Sequence, residues 1–366
     1  MKICYLSDIN SVHTHKWIKF FKQQSYDIHI ISLSAGEYEG VTVHSLEIDE
    51  SLVKQKADSG KLEYLKKIRK VKQLVNEIKP DILHAHYATS YGLLGAMTNF
   101  HPFIISVWGS DVYDFPIKSA LHKLILKRNL KKADYILSTS NIMKKETEKY
   151  TNKEIKVTPF GVDTSKFIPK INENKNKEEI IIGTVKSLEE KYGIEFLVKA
   201  FEKVKSANEN LKLKLRIGGR GSQEEYLKNL CIELNIDKDV TFLGFLNGEE
   251  VISEFQNFDI AVFPSTLDSE SFGVAAVEAE ACGIPVVVSN VGGLMESTNP
   301  GVTSLVAKKE SVESLYNEIQ KLVQDKELRE NMGIAARKFV EENYSLADNF
   351  NDIDKIYRNI LSAINN

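Results

Sequence analysis

The chain has 366 residues, 42% of them hydrophobic and 27% charged, which is enough to bury two ordinary domain cores and argues against intrinsic disorder. Its three cysteines are widely separated, the N-terminus turns polar too soon for a signal peptide, and no apolar run approaches the roughly 20 residues that span a bilayer. These features argue against a disulfide-stapled scaffold and an integral membrane protein, and we expect a cytoplasmic protein.

The formal net charge of −3 hides an uneven distribution of charge along the chain. Residues 1–150 carry 22 Lys/Arg against 16 Asp/Glu, a net charge of +6, whereas the remainder carries 26 against 35, a net charge of −9. A basic N-terminal half indicates an anionic partner such as a lipid phosphate, a membrane surface or an acidic glycan. Solvated helix faces explain the same charge equally well, and we do not expect a nucleic-acid partner.

Short apolar runs alternate with longer amphipathic stretches in the first half of the chain, a pattern typical of βα units in a parallel sheet. The predicted strands are Lys2–Ser7, Asp27–Leu33, Asp81–Ala85, Phe103–Val107, Tyr135–Thr139 and Ile155–Thr158. The predicted helices are Val12–Gln24, Lys61–Lys79, Ser90–Asn99, Lys118–Leu130 and Asn141–Tyr150.

Candidate ligand-binding residues lie at the end of one of these strands and in the loop after another. His13 and Lys16 lie where the first helix begins, and a helix N-terminus can face a phosphate or another ligand; local helix capping is the alternative. His84 and His86 point the same way at the end of a strand, and His86 is the better ligand candidate because it is nearer the strand end. No Cys or carboxylate completes a metal set around them, so we expect no metal site.

A polar, low-complexity stretch from Pro169 to Glu179 is typical of an interdomain linker. Beyond it we predict a second series of strands, separated by helices: Ile180–Val185, Lys212–Ile217, Val240–Leu243, Asp259–Phe263, Pro285–Ser289 and Thr303–Val306. An amphipathic helix, Asn343–Ile364, follows the last strand. We therefore expect an α/β fold in which two Rossmann-like, doubly wound parallel-sheet domains face a central cleft, with ligands beyond the carboxyl ends of the strands.

The most specific signal is the strand–loop–helix segment that contains Glu270-Ser-Phe-Gly273. The helix N-terminus at Gly273 and Val274 presents unpaired N–H groups and a positive dipole end, which suit a diphosphate. Glu278, about one and a half turns into the helix, is placed to accept hydrogen bonds from ribose hydroxyls, and Glu270 to meet hydroxyls of a transferred sugar. An exposed helix start with surface carboxylates is the alternative.

This segment resembles the donor signature of glycosyltransferase family 4, a retaining family of the group 1 type with the GT-B fold. Glu270 and Glu278 have the expected separation, and Gly-Ile-Pro and a strand follow the helix as expected. The resemblance implies that Glu270 takes part in catalysis, and that the donor is bound by Ser271, Phe272, Gly273, Val274 and Glu278.

The stretch Gly183–Gly193 is also similar to that family, whose members usually have an Arg where this chain has Lys186 and a Lys at Lys191. Two cations there can neutralise a departing diphosphate, which removes the need for a bound metal ion. Lys186 keeps the charge but lacks the bidentate fork of an arginine. In the resemblance, Gly219 lines the nucleotide side of the pocket and Phe245 lies near the base; a tight turn and ordinary packing are the alternatives.

The first half follows the family's order of elements, so the resemblance covers nearly the whole chain. Trp108-Gly-Ser-Asp111 stands where many members have His-Gly-x-Asp, so Trp108 replaces the usual histidine. The resemblance implies that the acceptor is bound by His13, Lys16, His86 and Trp108. Asp111 is retained as a catalytic candidate that binds a sugar hydroxyl or orients a neighbour, and a helix N-cap is its alternative role. The basic stretches 61–72 and 118–132 are candidates for docking on anionic lipid, or plain surface helices.

We expect residues 1–168 to form the acceptor-binding domain, with 345–366 crossing back onto it, and residues 178–344 to form the nucleotide-sugar domain. The leading hypothesis is a retaining glycosyltransferase that uses a nucleotide diphosphate sugar, with UDP preferred, and a glycan or lipid-linked acceptor, without a cofactor or metal. Contact with the inner face of the cell membrane would follow from a lipid-linked acceptor. A non-catalytic GT-B partner subunit is the alternative, and an epimerase lacks a convincing set of proton-transfer residues.

Overall fold

The computed structural model describes residues 1–47, 59–170 and 179–365, and these residues form two compact units. The first unit comprises Met1–Phe160 and Ala347–Asn366, and the second comprises Gly161–Leu346. Most of the predicted linker between Pro169 and Glu179 lies outside the described residues.

The first unit is built on a parallel sheet of seven strands in the order β3-β2-β1-β4-β5-β6-β7. Its strands are β1 Lys2–Leu6, β2 Asp27–Ser32, β3 Thr42–Ser45, β4 Ile82–His86, β5 Phe103–Val107, β6 Tyr135–Ser138 and β7 Ile155–Val157. All residues of β4 and β5 are buried, as a parallel sheet covered on both faces requires. The chain direction across the sheet changes between β1 and β4, and the loops after these two strands therefore lie at the switch point where such sheets bind ligands.

Helices cover both faces of this sheet. They are α1 Val12–Gln23, α2 Ser59–Ile78, α3 Ser90–Thr98, α4 Ser110–Tyr113, α5 Ala120–Lys132, α6 Asn141–Glu148 and, at the C-terminus of the chain, α14 Leu346–Asn365. The buried face of α14 consists of Phe350, Ile353, Tyr357 and Ile360, which recur at helical spacing and pack within the first unit.

The second unit is built on a parallel sheet of six strands in the order β10-β9-β8-β11-β12-β13. Its strands are β8 Glu179–Val185, β9 Lys212–Gly218, β10 Val240–Gly244, β11 Ile260–Phe263, β12 Val286–Ser289 and β13 Ser304–Ala307. Its helices are α7 Ile194–Ala207, α8 Glu224–Glu233, α9 Gly248–Phe255, α10 Val274–Ala281, α11 Gly292–Ser297, α12 Val312–Gln324 and α13 Lys326–Asn343. The switch point of this sheet lies between β8 and β11, so the loops after them form its candidate ligand edge.

The predicted fold class, two Rossmann-like parallel-sheet domains, is confirmed, and the predicted strands are all present within one or two residues of their predicted ends. The strand Thr42–Ser45 was not predicted. It lies at the edge of the sheet, none of its four residues is buried, and its sequence therefore has no apolar run to reveal it.

Within the described residues, no helix combines the length and the apolar character that crossing a lipid bilayer would require.

Candidate active site

The loops after β8 and β11 are fixed to each other at the switch point of the second sheet. The Lys191 carbonyl accepts hydrogen bonds from the Thr266 backbone N–H, at 2.9 Å, and from the Thr266 hydroxyl, at 3.1 Å. Gly193 has φ +65°, and a Cβ atom there would lie 2.2 Å from the Pro264 carbonyl oxygen, so this close approach requires glycine. The backbone of the lysine loop is therefore set independently of its lysine side chains.

Lys186 and Glu270 form an ion pair at the centre of the candidate site. The Lys186 Nζ lies 2.7 Å from the Glu270 Oε2, and the two side chains are only 18% and 10% exposed. Burial lowers the pKa of Lys186, but its ion pair and hydrogen bond with Glu270 and its electrostatic interactions with Tyr192 and Glu278 outweigh burial and raise the pKa overall. Lys186 is therefore a firmly protonated cation beside the two glutamates that the sequence predicted.

Lys191 lies close to the Lys186–Glu270 pair, because both lysines contact the ring of Tyr192. The Lys186 ammonium lies 4.5 Å and the Lys191 ammonium 5.0 Å from the centre of that ring. Glu278 is half-buried on α10 and acts electrostatically on Lys186. The structure thus groups the predicted cations with the predicted glutamates, and Tyr192 is a site residue that the sequence analysis did not single out.

The N-terminus of α10 is shaped by a glycine in the left-handed conformation. Gly273 has φ +75°, and a Cβ atom there would lie 2.5 Å from the Leu294 Cδ2. Gly273 at the N-cap has no side chain to cap this end of the helix, and the Ala276 and Val277 N–H groups donate to its carbonyl, so the first-turn amides left to solvent or a ligand are those of Val274 and Ala275. This arrangement provides the positive helix end that a diphosphate requires.

The loop that carries Glu270 rests on α11. A Cβ atom on Gly293 would lie 2.0 Å from the Glu270 carbonyl oxygen and 2.4 Å from the Ser271 carbonyl carbon. Ser271 is buried, and the buried Phe272 ring packs edge to face on Tyr344 at 5.2 Å between ring centres. Phe272 therefore anchors the loop with its side chain, and its proposed contact with a donor stays a prediction.

Gly293 gives the first testable consequence of this packing. We expect Gly293→Ala to displace the Glu270 loop, lower donor turnover by at least about tenfold and lower the melting temperature, because the backbone it meets cannot give way cheaply. Gly248→Ala is the matched control, since a Cβ atom there has nothing within 4 Å. Thermal unfolding and donor turnover measure both effects; equal behaviour of the two variants would contradict the role given to Gly293.

Gly219 and Phe245 follow the next two strands, β9 and β10. Gly219 has φ +128°, and its Cβ atom would lie 1.9 Å from the Lys186 carbonyl oxygen, while its N–H donates to the Gly244 carbonyl at 2.7 Å. Phe245 is 72% exposed. The close approach of Gly219 therefore fixes the backbone position of Lys186. The ring of Phe245, in the loop after β10, is exposed to solvent, as stacking on a nucleobase requires.

In the first unit, Asp111 holds the loops at the switch point together. Its buried carboxylate accepts hydrogen bonds from the backbone N–H groups of Ala88, at 2.8 Å, Trp108, at 3.1 Å, and Gly109, at 2.8 Å. Burial raises the pKa of Asp111 and these hydrogen bonds oppose the rise. The structure gives Asp111 a positioning role, its predicted catalytic role stays a prediction, and it does not act as a side-chain N-cap of α4.

The loop that Asp111 holds contains an unusual backbone conformation. Tyr87, directly after β4, has φ +81°, which is costly for a residue with a side chain and persists only where the surroundings impose it. The sequence analysis did not single out Tyr87, because nothing in its sequence context marks a left-handed residue. Its ring lies 5.8 Å from that of Trp108.

Trp108 is the centre of an aromatic cluster that includes two predicted acceptor residues. Its ring lies 4.6 Å from His86 and 5.8 Å from His13, and 5.3 Å from Phe160, on which His13 stacks at 4.4 Å. Lys16 lies half-buried in the second turn of α1. The structure therefore brings His13, His86 and Trp108 together, which their separation in the sequence did not reveal.

The two histidines of β4 differ in their surroundings. His84 is buried between the Tyr357 hydroxyl, at 2.6 Å from Nδ1, and the Ser106 hydroxyl, at 2.8 Å from Nε2, and burial lowers its pKa to about 3. The Nδ1 of His86 lies 2.8 Å from the Ser7 hydroxyl, and its buried Nε2 has no hydrogen-bond partner among the described residues. Burial, together with His84 and His13, lowers the pKa of His86 well below its usual value, so both imidazoles are neutral at physiological pH.

Among the residues that the structure describes, no group of three or more His, Cys, Asp or Glu side chains is arranged as metal ligands would be.

Two family models match the chain in succession. Residues 2–140 match the model described as "Glycosyl transferase 4-like", and residues 166–339 match the model described as "Glycosyl transferases group 1". The second match contains all the clustered lysines and glutamates of the second unit.

Curated relatives agree with these models. The chain is 25% identical to a capsular polysaccharide biosynthesis glycosyltransferase of Staphylococcus aureus, over 94% of this chain and 93% of the relative. It is 26% identical to the N-acetyl-alpha-D-glucosaminyl L-malate synthase of Bacillus anthracis, over 77% and 75%. An uncharacterized glycosyltransferase of Methanocaldococcus jannaschii is 38% identical, but the match spans only 42% of this chain and 38% of that relative.

Solved structures share the fold over nearly the full chain. Sucrose-phosphate synthase from Thermosynechococcus elongatus superimposes with a TM-score of 0.84 at 18% identity, covering 99% of this chain and 100% of that one. Anabaena HepE in complex with UDP and glucose superimposes with a TM-score of 0.79 at 18% identity, covering 98% and 100%.

Proposed function

The chain is a glycosyltransferase of the group 1 type with the GT-B fold, and from this premise we propose that it is a retaining enzyme that uses a UDP-sugar. We propose a glycan or a lipid-linked glycan as its acceptor, in polysaccharide or glycoconjugate biosynthesis. Support for the donor comes from Anabaena HepE, which was solved with UDP and UDP-glucose, and support for the pathway comes from the capsular relative.

The observation that carries the proposal is the cluster of Lys186, Lys191, Glu270 and Glu278 beside the uncapped end of α10. A nucleotide diphosphate leaves as an anion, and preorganised cations and amides aimed at that charge lower the barrier to its departure. In this proposal the two ammonium groups and the α10 amides hold the diphosphate, which is the task that a divalent metal performs elsewhere. Metal-independent transfer is therefore part of the proposal.

Glu270 has two successive partners in this scheme. Its carboxylate pairs with Lys186 at 2.7 Å. We propose that the diphosphate takes over Lys186 when the donor binds, which frees Glu270 to accept hydrogen bonds from hydroxyls of the transferred sugar. Glu278, on the same helix, is proposed to accept hydrogen bonds from the ribose.

The reaction we propose is a displacement on one face of the sugar. The bond between the anomeric carbon and the phosphate oxygen breaks, and the acceptor oxygen forms its bond to the same carbon from the same side. The acceptor hydroxyl proton passes to the departing phosphate oxygen, so no protein side chain has to act as a covalent nucleophile. The configuration of the sugar is retained.

The cluster around Trp108 is the proposed place of the acceptor in the first unit. An indole face suits the apolar face of a sugar ring, and Trp108 is half-buried, whereas the imidazole of His86, 4.6 Å from the indole, is buried and supports Trp108 from within the unit. Asp111 and Tyr87 hold the loops that support Trp108. The indole thus replaces the histidine that related enzymes carry at this position.

A panel of nucleotide sugars tests the proposal. We expect one class of donor, a UDP-sugar, to be turned over with release of its nucleoside diphosphate, and EDTA to leave the rate unchanged. Calorimetric titration of the same panel tests the second candidate function, a non-catalytic partner subunit. The presence of Trp108 in place of the usual histidine is the observation that favours this second function. A chain that neither binds nor turns over any donor would refute the enzymatic proposal.

A further inference from the structure

Helix α5 and the residue segment before it present an outer face that is both basic and strongly apolar. Ile117 is 77% exposed, and Leu121 and Leu124 are each 63% exposed. Leu121 and Leu124 are three residues apart on α5 and therefore lie on one side of the helix, and Ile117 lies in the turn just before it. Large aliphatic side chains exposed to this degree in a contiguous row mark an interaction surface.

The opposite side of α5 is buried against the core of the first unit. His122, Leu126, Asn129 and Leu130 are buried, and the Asn129 side-chain amide donates to the Ala88 carbonyl at 2.9 Å. Ser119 caps the helix by accepting a hydrogen bond from the backbone N–H of His122. The helix is therefore held rigidly, and its exposed leucines cannot turn inward.

Cations surround the exposed aliphatic row. The segment 115–133 contains six Lys or Arg residues and no Asp or Glu; the six are Lys118, Lys123, Lys127, Arg128, Lys131 and Lys132, and all of them are exposed. Lys127 and Lys131 continue the line of Leu124 at a spacing of three and four. The row thus passes from aliphatic to basic side chains along one face.

The basic end of this face continues onto the neighbouring loop. A shallow depression there is lined by Lys127, Lys131, Lys149 and Lys153, with Glu148 as its acidic member. Lys153 donates to the Lys131 carbonyl at 2.9 Å, which ties the loop to the last turn of α5 and adds a cation at the C-terminal end of the helix dipole. The depression is therefore a preformed basic patch beside the aliphatic row.

We propose that this face of α5 binds an anionic lipid bilayer, with Ile117, Leu121 and Leu124 in the acyl boundary and the lysines at the phosphate headgroups. Aliphatic side chains that enter an interface between cations are the pattern of peripheral helices that bind acidic lipids. A polyanion such as a nucleic acid offers no apolar phase for the three aliphatic residues. The surface lies wholly within the first unit and does not depend on the donor site.

Vesicle sedimentation of the full chain tests the proposal, with phosphatidylcholine vesicles compared with vesicles that also contain phosphatidylglycerol. We expect binding to the anionic vesicles that weakens as salt rises, and little binding to the neutral ones. Leu121→Ser with Leu124→Ser should lower binding at least about tenfold, and each of Lys127→Ala and Lys131→Ala about fivefold. Ile334→Ser is the matched control, because Ile334 is 72% exposed on α13 of the second unit.

Two measurements distinguish loss of vesicle binding from loss of enzymatic activity and from self-association of the chain. Hydrolysis of the donor in the absence of vesicles should be the same in wild type and in the double leucine variant, so loss of vesicle binding alone cannot be mistaken for loss of the active site. Sedimentation without vesicles detects self-association through the same face. Equal binding to neutral vesicles, equal loss in Ile334→Ser, or self-association without vesicle binding would each overturn the proposal.

Discussion

Replacing Lys191 by alanine is expected to lower donor turnover by about 10²–10³-fold while leaving the protein folded. The exposed ammonium of Lys191 is one of the two cations that share the Tyr192 ring, and we propose that it neutralises the departing diphosphate. The backbone at this position is held through the Lys191 carbonyl by Thr266, so the loop does not need the lysine side chain. The effect should therefore fall on the rate and not on stability.

Lys238→Ala is the matched control for this change. Lys238 is another exposed lysine of the second unit, and it lies before β10, at the end of the sheet opposite to the candidate site. Release of nucleoside diphosphate and thermal unfolding should be measured for both variants. Full turnover in Lys191→Ala, or equal losses in both variants, would show that Lys191 does not stabilise the leaving group.

The second large effect concerns Glu280, which is buried in the last turn of the donor helix α10. Its Oε1 accepts a hydrogen bond from the Thr303 hydroxyl at 2.6 Å, and its Oε2 has no partner among the described residues. Burial raises the pKa of Glu280 from 4.5 to about 8, and the hydrogen bond opposes the rise only in part. The folded protein therefore keeps this carboxyl protonated at neutral pH, whereas the unfolded chain releases the proton.

Between about pH 4.5 and pH 8 the folded state binds one more proton at Glu280 than the unfolded state, so stability falls as pH rises. The stabilisation that proton binding at Glu280 gives the folded state is fully present below pH 4.5. By pH 8 the free energy of unfolding has lost at most roughly 5 kcal/mol from this source. Glu280→Gln removes this proton linkage. The difference in unfolding free energy between variant and wild type should therefore move in favour of the variant as pH rises.

Denaturant unfolding at pH 5 and pH 8 measures this difference. His84 and His86, whose pKa values are lowered, shift stability in the opposite sense, but they are present in both proteins and cancel in the comparison. Glu209→Gln, a change at an exposed turn residue, is the control and should not alter the pH dependence. Parallel pH profiles for wild type and Glu280→Gln would show that Glu280 is ionised in the folded state.

The amino-acid pattern was sufficient to predict nearly all of the fold, because buried parallel strands are continuous apolar runs and the helices between them are amphipathic. The edge strand at Thr42–Ser45 was missed because it buries no apolar side chain. Glu270 and Glu278 were found because one continuous loop–helix segment carries both, and the two lysines because a single loop carries them.

What the sequence could not provide are contacts between loops that lie far apart along the chain. The pairing of Lys186 with Glu270 joins two loops, as does the support of Glu270 by Gly293 and of Lys191 by Thr266. The sequence of Val291–Leu294 is compatible with a simple turn and with a helix start whose amides bind a ligand. The structure shows that this segment supports the Glu270 loop, because a Cβ atom added to Gly293 would lie 2.0 Å from the Glu270 carbonyl oxygen.

Asp111 illustrates the same limit in the first unit. Its position after a strand and before a short helix is compatible with contact to a sugar and with capping, and the sequence does not distinguish these roles. The structure adds a third, because its carboxylate joins the loop at Ala88 to the loop at Trp108 and Gly109. A buried acceptor for three amides from two loops is a tertiary feature that spacing along one loop does not encode.

Calorimetric titration with nucleoside diphosphates in the presence of EDTA tests most directly whether two ammonium groups and a helix end hold the donor. Wild type should bind UDP without a metal, and the Lys186→Ala, Lys191→Ala double variant should bind it at least about 10²-fold more weakly, while the weak affinity for uridine stays the same in both. Failure of wild type to bind UDP, GDP or ADP, or equal affinity in the double variant, would contradict this account.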